Sequence, residues 1–257
     1  FYQLLVLKFY NYFKPGPLTP KDAPISYRIL KPEAGRSKLD SMVYGRAYVK
    51  GNVVDNNPAI TKNNWDGGVQ IEGKDGVLLD FEAAKPYFDY MNASTSFPMP
   101  WFRNIMSAED AYDFVVENAG ATLPIRDAVD TRIARTVKTG VPEYVKDLDP
   151  DSFYQFKHRR LPKDSYKKGI ITDISQVGGY PEYKGTPYVD SDKDGMPDTY
   201  EKKYGLNPND ASDANEDKNK DGYTNIEDYI NGNNPKKCKD WTDLKNNKNS
   251  LKERLLQ

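Results

Sequence analysis

Apolar and polar positions change their period along this chain, and the change divides it. Up to about residue 80, short runs rich in Tyr, Val, Ile and Phe alternate with turn chemistry. KFYNYF (8–13), YRIL (27–30), GRAYVKGNVV (45–54) and GGVQIEG (67–73) read as strands. PGP at 15–17, PEAG at 32–35, NNP at 56–58 and NNWDGG at 63–68 read as the turns between them. The first three strands recur roughly every 18–20 residues. That spacing fits the stacked rungs of a solenoid, and it fits a meandering antiparallel sheet equally well. Asn11 and Asn52 fall inside strands, where Asn is depleted. Either both face solvent, or a neighbouring pass of chain supplies partners for their amides.

Further along, the period lengthens to that of a helix. Ala108, Ala111, Tyr112, Val115, Val116 and Ala119 follow three-four spacing, with Ser107 and Asp110 placed as a capping pair and Gly120 as a stop. A second helix is predicted over 127–139. Asp127 and Asp130 favour its start, Val129, Ile133 and Val137 share one face, and Gly140 ends it. Neither helix can bury its apolar face alone, so both are expected to pack on the strand region. Residues 141–185, with Pro, Tyr, Lys and the Gly178-Gly179 pair, read as a long surface wrap.

Composition removes several classes of chemistry. The chain has 257 residues, one cysteine (Cys238) and one histidine (His158), which excludes an internal disulfide, a Cys-based zinc site and any multi-histidine metal site. His158 lies in KHRR and reads as a surface residue. There is no run of about 18 apolar residues to span a membrane. The chain begins FYQLLVL, without the basic start and small-residue cleavage site of a signal peptide, and is expected to be a fragment or a processed chain.

A net charge of −1 conceals a segregation of sign. Residues 190–228 hold twelve acids against five lysines, net −7; residues 236–257 hold seven bases against three acids, net +4. The basic end has only Trp241 as an interleaved aromatic, so it reads as a solvated tail and not as a nucleic-acid surface. The acidic block carries the strongest chemical signal. DSDKDGMPDTYE (190–201) puts Asp190, Asp192, Asp194, Asp198 and Glu201 at positions 1, 3, 5, 9 and 12 of an EF-hand-type loop. Gly195 occupies position 6, where the loop turns sharply, and Met196 at position 7 can offer its carbonyl. Alternating acids aim oxygens inward, as a hard Ca²⁺ ion with six to eight oxygen ligands requires. DKNKDGYTNIED (217–228) repeats the pattern with Asp217, Asn219, Asp221, Asn225 and Asp228, Gly222 at position 6 and the Tyr223 carbonyl at position 7. Its two neutral Asn and shorter terminal Asp predict weaker binding. The two loops would form a compact module, poorly folded without metal because its carboxylates repel.

With those residues in hand, the chain resembles the C-terminal part of a polysaccharide lyase family 1 pectate lyase of the Bacteroidetes type. The matching stretches are NYFKPGP (11–17), RILKPE (28–33), YVKGNVVDNNPAITKNNWDGGVQ (48–70), SAEDAYDFVVENAGATLPIRDAVDTRI (107–133), VGGYPEY (177–183) and DSDKDGMPDTYEKKYGLNPND (190–210). The resemblance covers about residues 8 to 234. It implies a mainly β fold: the terminal rungs of a right-handed parallel β-helix over 1–97, a helical and irregular wrap over 98–186, paired EF-hand-like calcium loops (thrombospondin type 3-like) over 187–235, and a basic tail over 236–257. It implies a secreted, periplasmic or cell-surface monomer whose parent cleaves polygalacturonate by calcium-assisted β-elimination, with an arginine as base.

In that family the catalytic Asp cluster and arginine precede the KPGP turn, so no residue here is assigned to catalysis and the chain by itself is expected to be inactive. Arg28 and Arg46, on strands, could touch an acidic sugar but read as flanking surface residues. Asp55, Asp66 and Glu72 lie near turns without a visible pairing. Trp65 and Trp101 could stack on sugars but read as core or lid residues. A second reading is a dockerin-like, calcium-dependent interaction module, favoured by the duplicated loops and Asp228 at position 12. The loops form only a fifth of the chain.

Overall fold

The computed structural model describes residues 5–32, 44–73, 75–93, 105–120, 122, 125–149, 161–182, 186–240 and 243. His158, Trp101, Trp241 and most of the basic tail lie outside them. The chain divides into two units: residues 1–115, 136–143 and 158–170 form the first, and 116–135, 144–157 and 171–257 the second.

The first unit is built on two passes of chain running side by side. Strand β1 (Leu5–Phe9) pairs in parallel with β3 (Arg46–Lys50), and β2 (Tyr12–Phe13) with β4 (Val53–Val54). The register is constant, with Leu5 opposite Arg46 and Tyr12 opposite Val53. A corner separates the strands of each pass, and it falls at matching positions. Tyr10 (φ 51°) and Gly51 (φ 68°) both take the left-handed conformation. A Cβ on Gly51 would lie 2.6 Å from the Tyr10 ring, so glycine is favoured there by space as well as by backbone conformation. Alternation along β3 buries Ala47 and Val49 and leaves Arg46 and Tyr48 half-exposed.

Immediately after each corner comes an asparagine. Asn52 is fully buried, and its amide is completely used. Its Oδ1 accepts from the Asn11 backbone N–H (3.1 Å) and Nδ2 (2.9 Å), while its Nδ2 donates to the Lys8 carbonyl (2.8 Å) and to Asn64 Oδ1 (3.0 Å). Asn64 in turn accepts from Asn52 N–H (2.9 Å) and donates to the carbonyls of Asn52 (2.9 Å) and Ile60 (2.8 Å). Of the two readings of these asparagines, the neighbouring-pass one holds for Asn52. Asn11 stays exposed although paired.

Helix α1 (Pro58–Lys62) is capped by Asn57, and α2 (Phe81–Met91) by Asp80, whose Oδ1 accepts from Ala83 N–H at 2.8 Å. Ala84, Phe88 and Met91 put one face of α2 into the core with Ile29, Val49, Val54, Ile60, Val69 and Ile71. Trp65 packs edge-to-face on Phe88 (5.3 Å) and donates to the Val49 carbonyl (3.1 Å), so it is a core residue.

The expectation of a mainly β protein, with terminal rungs of a right-handed parallel β-helix, is overturned. Helix accounts for 34% of the described residues and strand for 9%, and the strands form only two two-stranded sheets. The reason is local. YRIL and GGVQIEG are strand-like in composition, but Tyr27 ends a 3₁₀ turn over Pro24–Tyr27 and the remainder contributes single bridges, at Leu30–Val69 and Glu72–Leu78. Strand propensity measures fit to a pleated neighbour, and YRIL and GGVQIEG meet one another in parallel only around Leu30 and Val69, too short a contact to make a ladder.

The two predicted helices are present as α3 (Ala108–Asn118) and α4 (Ala128–Thr139), with Ser107 Oγ accepting from Asp110 N–H (3.0 Å) and Asp127 Oδ1 from Asp130 N–H (2.7 Å). Their expected packing holds for α3, which buries Ala108 and Val116 and stacks Tyr112 on Tyr12 of β2 (4.5 Å), but not for the apolar face of α4. Val129, Ile133 and Val137 on α4 are all exposed.

Candidate metal centre

The second unit contains both acidic loops, and they are built alike. In each, a lysine at position 4 and a glycine at position 6 have positive φ: Lys193 (62°) and Gly195 (99°), Lys220 (63°) and Gly222 (96°). These turns aim backbone N–H groups at the loop's own side chains. Asp190 Oδ2 accepts from Gly195 N–H and Asp217 Oδ2 from Gly222 N–H, both at 3.0 Å. Asp194 Oδ1 accepts from Met196 N–H (2.7 Å) and Asp221 Oδ1 from Tyr223 N–H (3.0 Å). Helix α5 (Asp198–Tyr204) follows the first loop and α6 (Asn225–Ile230) the second. Met196, Tyr200, Tyr204 and Ala214 form a small core against Leu206, Ile226 and Tyr229.

In the first loop, bonds of this kind occupy one oxygen each of Asp190, Asp192 and Asp194 and leave the other without a donor. Asp190 Oδ1, Asp192 Oδ2, Asp194 Oδ2, both oxygens of Glu201 and Oδ1 of Asp213 are buried without a hydrogen-bond donor. Carboxylate oxygens of Asp190, Asp192 and Asp194 lie within 4.8 Å of one another, as do those of Asp194, Glu201 and Asp213. Glu201 is completely buried. Burying a carboxylate without a partner is costly, and for Glu201 and Asp194 the cost shows in a raised proton affinity. Burial, reinforced by Asp194, Asp192 and Asp213, raises the Glu201 pKa to about 7. Burial also raises that of Asp194. Six inward oxygens with no donor fit a hard divalent cation with six to eight oxygen ligands.

Two residues do not fall where the loop template puts them. Asp198, expected as the position-9 ligand, points back into its own loop. It accepts from Ser191 N–H (2.8 Å), Ser191 Oγ (3.0 Å) and Lys202 Nζ (3.1 Å). Burial pushes its pKa up, but these donors outweigh it and the net shift is downward. Asp213, outside the loop and unmarked by any spacing rule, takes its place beside Glu201. The Met196 side chain is buried in the small core.

The second loop is closed differently. Asn219 turns its Nδ2 inward and donates to Asp221 Oδ2 (3.2 Å), Asp228 Oδ2 (3.0 Å) and the Lys237 carbonyl (3.3 Å). A neutral amide thus sits between two carboxylates where a cation would sit. Asn225 turns Oδ1 to Lys218 N–H (3.4 Å), as Asp198 does in the first loop, and Tyr223 is exposed. Only Asp228 Oδ1 is left buried without a donor. Burial, with Asp221 beside it, raises the Asp228 pKa to about 6 against opposing bonds from Asn233 and Asn219.

The remaining candidates are structural in their contacts. Arg28 Nε donates to Gln70 Oε1 (2.7 Å), Arg46 Nη2 to the Asn92 carbonyl (3.2 Å), and Glu72 pairs with Lys31. Asp55 accepts from the Tyr12 hydroxyl (3.0 Å) and from Asn56 Nδ2 (3.1 Å). Among the described residues, no helix is long and apolar enough to cross a membrane.

Comparison with known proteins points in one direction. The chain is 29% identical over 186 residues (72% of its length) to "Probable pectate lyase C" of Aspergillus flavus. It is 30% identical over 176 residues (65% of its length) to the protein of that name in Aspergillus fumigatus, and 26% over 189 residues (73%) to that in Aspergillus terreus. These matches support a pectate lyase relationship. The chain spans about a third of the length of these curated relatives, 35–36% in each case. No family model matches it.

Proposed function

We propose that this chain is a calcium-holding portion of a secreted, pectin-degrading lyase. Its substrate class would be polygalacturonate, cleaved by β-elimination: a base removes the C5 proton, a C4–C5 double bond forms, and the C4–O glycosidic bond breaks. The similarity to proteins named pectate lyase C supports this reaction class. The geometry supports calcium, and the observation that carries it is the set of six buried carboxylate oxygens without donors around Glu201. Asp190, Asp192, Asp194 and Glu201 hold the first ion, with the Met196 carbonyl. Asp217, Asn219, Asp221 and Asp228, with the Tyr223 carbonyl, hold the second once the Asn219 amide has turned its oxygen inward. The bound metal supplies charge neutralisation to buried carboxylates, and so it contributes folding energy directly. Loops of this kind outside the cytosol bind at roughly 10⁻⁴–10⁻³ M, which suits extracytoplasmic calcium.

No side chain described here is assigned to proton abstraction, because Arg28 and Arg46 are both engaged in the fold. The test is an assay on polygalacturonate with millimolar Ca²⁺, following ultraviolet absorbance of unsaturated uronide ends, with a chelator control. Calorimetric calcium titration is run alongside. The chain alone is expected to bind calcium and release no product. A protein that carries this segment beside the remaining length of its relatives is expected to release product. Absence of calcium binding overturns the metal assignment, and absence of product from that longer protein overturns the lyase reading.

A further inference from the structure

Asp213 belongs to neither twelve-residue loop. It lies in the 3₁₀ turn Asp213–Asn215, between the end of α5 and the start of the second loop. Its carboxylate is divided between two tasks. Oδ2 accepts from Asn207 N–H at 2.7 Å, while Oδ1 is buried without a donor. A carboxylate oxygen of Asp213 lies within 4.8 Å of those of Asp194 and Glu201. Both Glu201 oxygens, completely buried, are also without donors. Asp198, at position 9 of the first loop, has its carboxylate engaged by Ser191 and Lys202.

The backbone of Asp213 faces the other loop. Its carbonyl accepts from Asn225 Nδ2 at 2.7 Å, and Asn225 is itself fully buried. The Asn225 Oδ1 closes the second loop on Lys218 N–H. One residue therefore presents a carboxylate to the first site and a carbonyl to the residue that closes the second.

We propose that Asp213 is a ligand of the first calcium ion in place of Asp198, and that through Asn225 it couples occupancy of the first loop to closure of the second. This rests on the calcium reading of the loops. An ion drawn to Oδ1 fixes the Asp213 side chain, which is already pinned at Oδ2. The turn that carries the carbonyl is then fixed as well, and Asn225 finds its acceptor in place. Binding at the first loop lowers the ordering cost of binding at the second, which is positive cooperativity.

The experiment is a calorimetric Ca²⁺ titration of the whole chain and of two conservative variants. Asp213→Asn has a single side-chain oxygen, which cannot serve both Asn207 N–H and an ion. It is expected to weaken the first site about tenfold or more, with a smaller loss at the second. Asp198→Asn keeps an acceptor for Ser191 and is expected to leave the first site within about threefold. An unchanged first site in Asp213→Asn, or a larger loss in Asp198→Asn, overturns the proposal.

A second measurement does not depend on the Asp213 variant folding. In a chain whose second loop is disabled by Asp217→Asn, nuclear magnetic resonance follows Asn207 N–H and the Asn225 side-chain amide during titration. Both signals are expected to move with occupancy of the first site. If neither moves, Asp213 is not a ligand. A wild-type chain that binds no calcium at all fails before the variants are compared and overturns the calcium reading as well.

Discussion

Two regions of this chain bury polar side chains, and they do so with opposite results. In the strand region, Asn52 and Asn64 lie in the interior with each amide matched to a donor or acceptor from the protein. In the first acidic loop and the neighbouring Asp213, six carboxylate oxygens lie in the interior with none. A fully satisfied network rigidifies a core, whereas a partly satisfied one is worse than an apolar core. The Asn52 network is therefore complete as a polypeptide. The first acidic loop leaves carboxylates unpartnered, as a cation site would. On the calcium reading proposed above, the contrast separates a residue that holds the fold from one that holds a ligand.

The largest effect that would break the contrast is removal of calcium. At a free concentration a hundredfold above the dissociation constant, each site adds about 2.7 kcal/mol to the stability of the second unit, and two sites add about 5. Chelation is expected to shift the unfolding transition of that unit, read by Tyr fluorescence or hydrogen exchange, while amides near Asn52 keep their protection. Equal loss of protection in both regions would refute the distinction. Next in size is Asn52→Leu, close in volume but without an amide. It strands Asn11, Asn64 and the Lys8 carbonyl, and is expected to cost roughly 3 kcal/mol in the first unit with calcium affinity unchanged. Denaturant unfolding and a calcium titration on the same variant check both halves.

How far the sequence reveals each region follows from the distance over which its contacts act. The inward-facing acids of the first loop were legible because D-x-D-x-D-G is a rule of local geometry, satisfied within six residues. Asp213 was not, because it reaches Glu201 from twelve residues further on and nothing in its neighbourhood marks it. Asn64 reaches Asn52 over the same separation and is equally silent. Asp198 sits at the position the template requires, and its carboxylate also accepts from the nearby Ser191 and Lys202, contacts that the loop pattern does not announce. The fold class was misread for a related reason. Tyr, Val and Ile announce that a segment can be a strand, but only a partner pass makes it one, and the partner of β1 lies some forty residues away. Helix α2 carries a readable signal, Asp80 followed by Ala84, Phe88 and Met91, that Pro86 in its middle obscures.

Proton linkage gives a smaller effect with a definite sign. Glu201 and Asp228 have folded pKa values raised to about 7 and about 6, from 4.5 and 3.8. A raised carboxylate stabilises the fold fully below its unfolded pKa and loses that contribution as pH rises through the folded one. The metal-free second unit is therefore expected to be more stable at pH 5 than at pH 8, by on the order of 2 kcal/mol. With calcium saturating, the order reverses, because protons now compete with the ion for the same oxygens. A metal-free unit that gains stability toward pH 8 would show that its carboxylates already have partners, and the contrast with the Asn52 network would vanish.

The smallest effect sharpens the comparison from the other side. Gly51 stands at the corner that delivers Asn52 to its partners, and two separate costs attend any side chain there. One is conformational: at φ 68° an L-residue is disfavoured by about 1 kcal/mol whatever surrounds it. The other is steric, since the added Cβ would lie 2.6 Å from the Tyr10 ring. Tyr10 is exposed and its ring can swing away, so this second cost is expected to be the lesser. Gly51→Ala should then destabilise the first unit by about 1 kcal/mol or a little more, and in a Tyr10→Ala background the excess should disappear while the conformational part remains. Should the double variant recover wild-type stability, the corner would be set by Tyr10 alone. Should it recover nothing, the backbone conformation of Gly51 would be what holds Asn52 in register. In neither case should calcium affinity change, because the corner belongs to the first unit and the acidic loops to the second.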